Sequence, residues 1–503
     1  MGEKRDAGLS DAQRRLLASL AKTGTALYDR GLKESLRALR AASNTWHSVL
    51  EADLFPAWES LIDVGADLSS KLGEAAEGER DLASVSREAA ERLYAGTRYA
   101  ELVRTLGREL YGTATFAGEE RLAQDRYFRL SYLPPPSGAA RAPFALFHAG
   151  GTIPYGDRIF RLLPEYNFFA PFLARGVPIY AMELRGDREE LDYGDLTLER
   201  YIDSLEQLAS RARVHAGGGK LALEGYCGNG SQALAYLAAK PEHAEATFGL
   251  FASFVTPVDG RACQSLAAAI KDVSPDVAEA SAARWEDGDG YVPADYLRMG
   301  IDLNLRASFY KSTLGYFMAG WQRPELNQVR SVDDLSSFQR RDLAGAYWIS
   351  ADCARRFPVP IGIARFTARL FSDGISARGE LPASYHDEAL SLERVRDQTS
   401  LRLLGFYGGQ DPVVPDATGR CLELLLGARY THVVHPQAGH ITYVMSPKAW
   451  DPAHARGLSP NPIDVMIEAW PRDASAPRGP VKARTKKSTK KKPAKKKKLS
   501  RRR

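Results

Sequence analysis

The sequence predicts an α/β fold built on a mostly parallel sheet that helices cover on both faces. Two observations lead to this prediction. Short apolar runs alternate with amphipathic helical patterns from about residue 126 to residue 260, and the alternation returns at Leu401. Between these blocks, residues 260 to 400 are rich in aromatic residues and have patterns typical of helices, which predicts a cap inserted into the α/β domain.

The residue patterns of three segments predict the domain organisation of the chain. Residues 1–125 have leucines at loosely helical spacing and no chemical motif, so we predict an all-helical N-terminal region that packs or oligomerises. Residues 126–475 form the predicted α/β domain, with the helical cap at about 260–400. Residues 476–503 lack apolar periodicity and are predicted to be a disordered Lys/Arg-rich tail.

The composition is that of an ordinary globular protein, with 44% hydrophobic and 26% charged residues among 503. No apolar run approaches the ~18–20 residues that a membrane helix needs, and the charged N-terminus lacks a secretory signal. The four cysteines are too few and too scattered for a disulfide framework or a zinc site. We therefore expect a cytoplasmic protein with no transmembrane segment, no metal and no cofactor.

The net charge of +6 comes from the C-terminus alone. Residues 482–503 contain 14 Lys or Arg and no acid, and removing these charges leaves the rest of the chain at −8. A run of this kind binds nucleic-acid phosphates without sequence preference. Non-specific DNA binding, contact with an anionic granule or membrane surface, and a merely solubilising tail are the alternatives for its role.

Six residues, Gly225–Gly230, organise the predicted α/β domain. The apolar run Lys220–Glu224 predicts a buried strand before them, and the Ala/Leu-rich run Ser231–Ala239 predicts a helix after them. A strand, a tight Gly-rich turn and a helix form the nucleophile elbow of an α/β-hydrolase, in which the strained turn lifts the nucleophile above the sheet. Cys227 has this position, where the helix N-terminus would favour its thiolate. The alternative is a buried structural cysteine beside a glycine turn.

Two later motifs complete a predicted catalytic triad. Asp411 follows one late strand and His440 follows the next, so nucleophile, acid and histidine occur in the α/β-hydrolase order. All three follow parallel strands, at the sheet edge where α/β proteins bind their ligands. We predict that His440 takes the proton of Cys227 and that Asp411 orients the imidazole.

The other residues of this site are less firmly indicated by the sequence. The backbone N–H of Gly228 is one predicted oxyanion donor, and the loop that begins near Ala149 would supply the second. His148, His432 and His435 compete with His440 for the role of base. His435 precedes the Gly–His turn, so it is predicted to end its strand instead.

Several motifs of this chain resemble, in their order, those of the polyhydroxyalkanoate (poly-3-hydroxybutyrate) synthases. The resemblance is strongest to the short-subunit type, which works with a helical partner, and it extends from about residue 126 to about residue 451. The motifs that carry it are Leu196–Ile202, Gly225–Cys227, Val255–Asp259, Gly290–Pro293, Trp348–Asp352, Asp411–Pro415 and Gly439–Ile441.

This resemblance implies an acyltransferase that polymerises 3-hydroxyacyl groups from their coenzyme A thioesters and releases CoA. Cys227 would carry the growing chain as a thioester, and His440 would activate the thiol. Asp411 would assist His440 or help to activate the 3-hydroxyl of the incoming group. The CoA thioester is then a substrate, and the expected partners are a polyester granule and either a second copy of the chain or a helical partner subunit. A mobile cap would control entry and shield the acyl-enzyme from water.

Two positions depart from the family pattern, and a third segment extends the resemblance. The family has glycine where this chain has Asn229, and its strand-end pair Asp-Trp is replaced by Glu183 and Leu184. Asparagine tolerates unusual backbone angles, but its side chain needs room in a tight turn. In the N-terminal region, Leu93–Leu106 resembles the helical partner subunit of these synthases.

Three functional hypotheses follow from the sequence. The first is a polyester synthase with a Cys–His–Asp triad. The second is a hydrolytic α/β-hydrolase that acts as a thioesterase or polyester depolymerase. The third is a non-catalytic protein that organises granules or tethers them to the nucleoid. Cysteine rather than serine at position 227 favours the first over the second, and Asn229 is the main support for the third.

Overall fold

The computed structural model describes residues 55–77, 79–262, 275–297, 313–451, 453–454 and 457–471. The predictions for the first 54 residues and for the basic tail over 482–503 lie outside these ranges. Within the described part of the chain, no helix combines the length and the apolar character that crossing a membrane requires.

An eight-stranded sheet forms the centre of the α/β domain. The strands in the described residues are β1 (Glu120–Gln124), β2 (Phe128–Leu133), β3 (Leu146–Ala149), β4 (Ile179–Leu184), β5 (Leu221–Tyr226), β6 (Phe248–Phe254), β7 (Glu380–Tyr385), β8 (Glu388–Ser391), β9 (Arg402–Gly408) and β10 (Tyr430–His435). The sheet order is β1-β2-β4-β3-β5-β6-β9-β10. The strands from β4 to β10 in this order run parallel, and β1 and β2 extend one end in antiparallel orientation. The predicted mostly parallel sheet is confirmed.

Helices follow most of the parallel strands. Thr197 caps the long helix before the elbow strand, because its hydroxyl accepts a hydrogen bond from the Arg200 N–H at 3.3 Å. The longer α-helices are Phe55–Ala76, Leu82–Leu102, Leu198–His215, Gly228–Ala239, Pro241–Thr247, Pro275–Gly288, Thr313–Trp321, Ser337–Trp348, Ile361–Asp373, Leu392–Gln398, Arg420–Leu426 and Pro462–Ala469. Shorter ones are Arg108–Leu110, Ala170–Ala174, Ala351–Arg356 and Thr442–Met445.

Hydrophobic cores lie on both faces of the sheet. Successive side chains of a strand point to opposite faces. Accordingly Ala222 and Leu250 belong to one core, whereas their neighbours Leu223 and Phe251 belong to the other. The elbow helix Gly228–Ala239 is buried against the second core along almost its whole length. Burial on both faces explains why the central strands are continuous apolar runs in the sequence.

The N-terminal helices pack against the predicted cap. A side chain on Gly96 of the helix Leu82–Leu102 would lie 2.6 Å from the Phe317 ring, so only glycine allows this close approach to the helix Thr313–Trp321. Tyr99 of the same N-terminal helix donates a 2.7 Å hydrogen bond from its hydroxyl to Asp342 of another cap helix, Ser337–Trp348. The N-terminal region thus supports the cap at a crossing of two closely spaced helices.

Two short pieces of β structure correct the helical predictions. β1 lies inside the region 1–125, for which the sequence predicts helices. It is a strand because its residues pair with β2. Its sequence, Glu-Arg-Leu-Ala-Gln, favours a helix locally, so tertiary pairing overrides propensity. In the cap region, β7 and β8 form an antiparallel hairpin. Its turn residues His386 and Asp387 have φ values of 48° and 64°, as primed hairpin turns require.

Candidate active site

Cys227 lies on the tight turn between β5 and the helix that follows. Its φ of 50° and ψ of −127° form a conformation that L-residues rarely adopt, so the turn is strained as the sequence predicts. Its N–H donates a 2.8 Å hydrogen bond to the Phe254 carbonyl on β6. The turn closes because two neighbours lack side chains. A Cβ on Gly230 would overlap the side chain of Thr256, and one on Gly225 would lie 2.7 Å from the Gly230 Cα.

Asp411 and His440 follow β9 and β10, and their side chains meet. Nδ1 of His440 lies 2.8 Å from Oδ2 of Asp411. The other carboxylate oxygen accepts hydrogen bonds from the backbone N–H groups of Val413 and Val414 at 2.8 and 2.9 Å. The carboxylate is buried, and both of its oxygens have hydrogen-bond partners. This arrangement fixes the orientation of the imidazole.

The environment of His440 favours its protonated form. Burial lowers the pKa of His440, but the charges of Asp411 and Cys227 and hydrogen bonds to both outweigh burial and raise this pKa well above its ordinary value. The hydroxyl of Tyr226 also donates a hydrogen bond to the backbone carbonyl of His440, which ties the residue before the nucleophile to the histidine loop. The structure thus brings the three predicted triad residues together.

These features decide the fold. A mostly parallel sheet carries a strained nucleophile turn after β5, a carboxylate after β9 and a histidine after β10. The chain has the α/β-hydrolase fold. Within the described residues, no group of three His, Cys, Asp or Glu side chains could hold a metal ion.

Comparisons with known proteins give matches among solved structures. No protein-family model matches the chain, and no curated protein matches its sequence. Among solved structures, it is similar to a thermophilic esterase from Thermogutta terrifontis, with 13% identity, a TM-score of 0.37 and coverage of 71% of this chain and 100% of that one. A carboxylesterase of the thaumarchaeon Nitrososphaera gargenis has 14% identity, a TM-score of 0.35 and coverage of 65% and 92%. The thioesterase domain of the curacin biosynthetic pathway has 12% identity, a TM-score of 0.33 and coverage of 65% and 94%.

Asn229, which replaces a glycine of the α/β-hydrolase elbow, has room for its side chain. The residue is fully buried, and its Oδ1 accepts a 3.2 Å hydrogen bond from the Thr152 N–H. The Thr152 hydroxyl in turn donates to Oε1 of Gln232 at 2.8 Å. Two side chains of the elbow helix therefore hold the loop that follows β3. Nδ2 of Asn229 is buried and has no hydrogen-bond partner among the described residues.

The two predicted oxyanion donors differ in how far the structure supports them. Gly228 is the first residue of the elbow helix, so its N–H has no acceptor within that helix and can face a developing oxyanion. Ala149 is the buried last residue of β3 and stays a prediction as the second donor. Its neighbours are already engaged, because the Gly150 N–H donates to a β4 carbonyl and the Thr152 N–H donates to Asn229.

Two of the competing histidines, His435 and His432, lie beside polar partners away from the predicted triad and have lowered pKa values. His435 ends β10, as the sequence predicts, and its ring nitrogens lie 2.8 Å from the Tyr443 hydroxyl and from the Pro460 carbonyl. Nε2 of His432, within β10, lies 3.9 Å from Oδ2 of Asp416 in the segment between β9 and β10. Burial lowers the pKa of both histidines, so both are neutral at physiological pH.

The third competitor, His148, forms a buried pair that sequence reasoning missed. Its Nδ1 lies 2.5 Å from Oε2 of Glu224, and both side chains are fully buried. Phe160 and Phe169 pack edge-on against the ring. Burial raises the pKa of Glu224, and the neighbouring His148 offsets part of that rise. The only signal in the sequence was a glutamate inside an otherwise apolar strand.

Glu183, the second departure from the family pattern, anchors the loop after β3. Its Oε1 lies 2.5 Å from Nε of Arg161, and both Nη atoms of Arg161 bind the carboxylate of Glu119. Burial alone would raise the pKa of Glu183, but Arg161 and Arg129 outweigh it and lower this pKa. Nearby, burial and the charge of Glu183 raise the pKa of Asp157 to about 6. Nothing in the sequence indicated this network.

The cap lies against the histidine side of the site. A Cβ on Gly345 of the cap helix Ser337–Trp348 would lie 2.7 Å from the Met445 methyl, four residues after Ile441. Ile441 is 40% exposed, and the side chain of His440 keeps 14% of its surface accessible. The imidazole therefore lies between the sheet edge and the predicted cap and is partly accessible.

Proposed function

We propose that the protein is an acyl-transfer enzyme that carries its acyl group on Cys227. The observation that supports this most directly is the hydrogen bond between His440 and Asp411, beside a cysteine on a strained turn. A thiol becomes a strong nucleophile once its proton is removed. Exchange between thioesters is nearly balanced in free energy, so a cysteine suits the transfer of an acyl group better than its hydrolysis.

The first half-reaction would acylate the enzyme. Sγ of Cys227 attacks the carbonyl carbon of an acyl thioester, and His440 holds the thiol proton. The N–H of Gly228 and a second donor, Ala149 in our prediction, would stabilise the negative charge on the carbonyl oxygen. The carbon–sulfur bond to the leaving group then breaks, and His440 gives its proton to the leaving thiolate.

The second half-reaction would lengthen the chain. The 3-hydroxyl oxygen of an incoming acyl thioester attacks the Cys227 thioester, the carbon–sulfur bond breaks, and the hydroxyl proton passes through His440 to the thiolate of Cys227. Both carboxylate oxygens of Asp411 are engaged and buried. This supports a role for Asp411 in orienting His440 rather than in touching the hydroxyl.

We propose 3-hydroxyacyl-CoA as the substrate and a polyester as the product, on the strength of the family resemblance. The fit of Asn229 supports catalysis, because its side chain bonds to the β3 loop and leaves the elbow glycines in place. Because Asn229 fits in the turn, it no longer supports a non-catalytic protein.

Release of CoA from 3-hydroxybutyryl-CoA tests this proposal, with Cys227→Ala as the control. Release together with polymer supports the synthase. Release with free 3-hydroxybutyrate would instead identify a thioesterase, and loss of added polymer would identify a depolymerase. If the wild-type protein releases no CoA at all, the chain is a non-catalytic granule-organising or nucleoid-tethering protein.

We propose separately that residues 482–503 bind DNA through charge alone and could hold a polymer granule at the nucleoid. Their 14 Lys or Arg support this, because contacts with phosphates release counterions and weaken steeply with salt. Retention on DNA should fall after truncation at Ala476, and it should fall for the full chain between low and moderate salt. Equal retention before and after truncation would contradict the proposal.

A further inference from the structure

A cavity of about 150 Å³ lies at the carboxyl edge of the sheet, at the end formed by β1 and β2. Arg121 of β1, Arg129 of β2 and Arg185, which follows β4, line it together with Gln124 and Glu190. The strand register explains why these residues meet. Gln124 of β1 pairs with Arg129 of β2, and Arg129 pairs in turn with Glu183 of β4.

The positive charge of the cavity is only partly neutralised. In the described ranges, neither Arg121 nor Arg185 forms an ion pair. Arg129 lies 3.7 Å from the carboxylate of Glu183, which is more closely bound to Arg161 at 2.5 Å. Three guanidinium groups thus line one space, and the carboxylate nearest to Arg129 is shared with Arg161.

Backbone contacts hold one of these guanidinium groups in place. Nη1 of Arg185 donates hydrogen bonds to the carbonyls of Asp125 and Arg126 at 3.0 and 3.1 Å. These contacts fix the guanidinium but supply no counter-charge. The acid in the lining, Glu190, lies 3.6 Å from Arg158, which offsets its charge. The cavity is therefore preorganised for an anion.

We propose that this cavity binds the phosphate group of a phosphate ester. The planar fork of arginine matches the oxygens of a phosphate, and three forks around one space can share its oxygens. Arg121 and Arg185 are exposed and Arg129 is partly buried, which also suits a ligand that enters from solvent, since the exposed charges stay hydrated until the anion arrives. A carboxylate would need fewer donors than the cavity offers.

The position of the cavity indicates which phosphate ester it takes, and this step depends on the proposed function. Neighbouring strands are ~4.8 Å apart, so β4 and β1 lie roughly 10 and 19 Å from β5 along the sheet. In CoA thioesters a long flexible arm separates the reacting carbonyl from the phosphates. A thioester that reacts at Cys227 on the same edge could therefore place its phosphates between Arg185 and Arg121. The shared chemistry is phosphate, and the tests separate CoA from free inorganic phosphate.

Binding is measured first, without catalysis, on the full-length Cys227→Ala protein. The probes are 3′,5′-ADP and inorganic phosphate, each titrated calorimetrically. Introducing Arg121→Gln and Arg185→Gln together into this Cys227→Ala protein should weaken its binding of 3′,5′-ADP by roughly tenfold or more. Each substitution removes a charge-assisted hydrogen bond from an arginine to the phosphate. The matched control is Arg369→Gln, an exposed arginine on the cap helix Ile361–Asp373. All variants keep the basic tail, so its contribution cancels.

Kinetics then separate the two sources of phosphate. The double variant should raise KM for 3-hydroxybutyryl-CoA roughly tenfold with little change in kcat, and leave KM for the N-acetylcysteamine thioester, which lacks phosphates, unchanged. Equal affinity for 3′,5′-ADP in the double variant and the Arg369→Gln control would overturn the site. Loss of inorganic-phosphate binding with an unchanged KM for the CoA thioester would overturn its assignment to CoA. Failure of the proposed function would appear differently, as intact 3′,5′-ADP binding in a protein that releases no CoA.

Discussion

The central sheet positions two histidine–carboxylate pairs, one in the loops after β9 and β10 and one within β3 and β5, and the two pairs have different surroundings. His440 and Asp411 meet at 2.8 Å, and His148 and Glu224 meet at 2.5 Å, in both cases through Nδ1 of the ring. The charge of Cys227 and a hydrogen bond to it help to raise the pKa of His440, whose side chain keeps 14% of its surface accessible. His148 is fully buried, and its Nε2 has no partner in the part of the chain that the structure describes.

This difference shows that a histidine–carboxylate hydrogen bond does not by itself make a catalytic site. At the first pair, the second ring nitrogen would take the proton of Cys227 in the proposed mechanism, and the side chain is partly accessible. At the second pair, both side chains are fully buried, aromatic rings pack against the histidine, and the pair joins β3 to β5 beneath the turn that carries Cys227. We expect the first pair to determine rate and the second to determine stability.

The largest expected effect is that of replacing His440, the proposed base. His440→Gln should lower CoA release by roughly 10⁴-fold or more, because no group remains to hold the thiol proton. The free energy of unfolding should change little, since the side chain lies at the surface of the site. The assay is CoA release alongside urea denaturation. A variant that keeps a tenth of the wild-type rate would remove His440 from the mechanism.

The next effect tests the carboxylate of the same pair. Asp411→Asn should lower activity on the order of 10³-fold, because an amide no longer stabilises the imidazolium or selects its tautomer. The charge of Asp411 helps to raise the pKa of His440, so its removal should lower that pKa. Steps that need the imidazolium fail as pH rises through this pKa, and the basic limb of the pH–rate profile should therefore move to lower pH.

One control variant sharpens the Asp411 test. Asp416→Asn removes a carboxylate from the neighbouring loop that makes no contact with His440 among the described residues, and it should leave the basic limb where it is. If Asp411→Asn lowers the rate at every pH by the same factor and leaves the limb unmoved, the carboxylate acts through loop structure alone.

Substitutions in the buried pair of His148 and Glu224 should lower stability rather than the reaction rate. Glu224→Ala leaves His148 without its partner in a closed space, and removal of one member of a buried pair costs ~3–5 kcal/mol of unfolding free energy. Glu224→Gln keeps a hydrogen-bonding group of the same size and should cost less. Denaturant unfolding of both variants measures the difference. A stable Glu224→Ala protein with a strongly reduced rate would place this pair in the catalytic machinery instead.

The sequence predicts one half of this comparison and not the other. The elbow, Asp411 and His440 each follow an apolar run, so strand order and chemistry together indicate their meeting point. His148 also follows an apolar run, and no local signal separates it from His440, because burial depends on side chains that are distant along the chain. For the same reason β1 was not predicted. Its five residues favour helix on their own and become a strand only beside β2.

Asn229 was the residue for which sequence alone was most misleading. A bulky side chain in a glycine-rich turn suggests an impaired site, yet here its Oδ1 accepts from the Thr152 N–H and fixes the loop after β3. Only the position of that loop, far away in the sequence, explains why asparagine is tolerated. Crowding at Gly230 shows that the turn does need glycine one residue later.

The smallest expected effect therefore concerns this hydrogen bond between the elbow helix and the loop. Asn229→Ala removes the acceptor for the Thr152 N–H and should lower kcat about tenfold, the equivalent of one lost hydrogen bond of about 1.4 kcal/mol. Asn229→Asp keeps an acceptor oxygen in place and should retain more activity than alanine at the same pH. Asn229→Gly restores the residue of the related elbows but not the hydrogen bond, so it should resemble alanine in kcat. If glycine instead raises kcat above that of the wild-type protein, the side chain hinders catalysis and the contact with Thr152 only compensates for its presence.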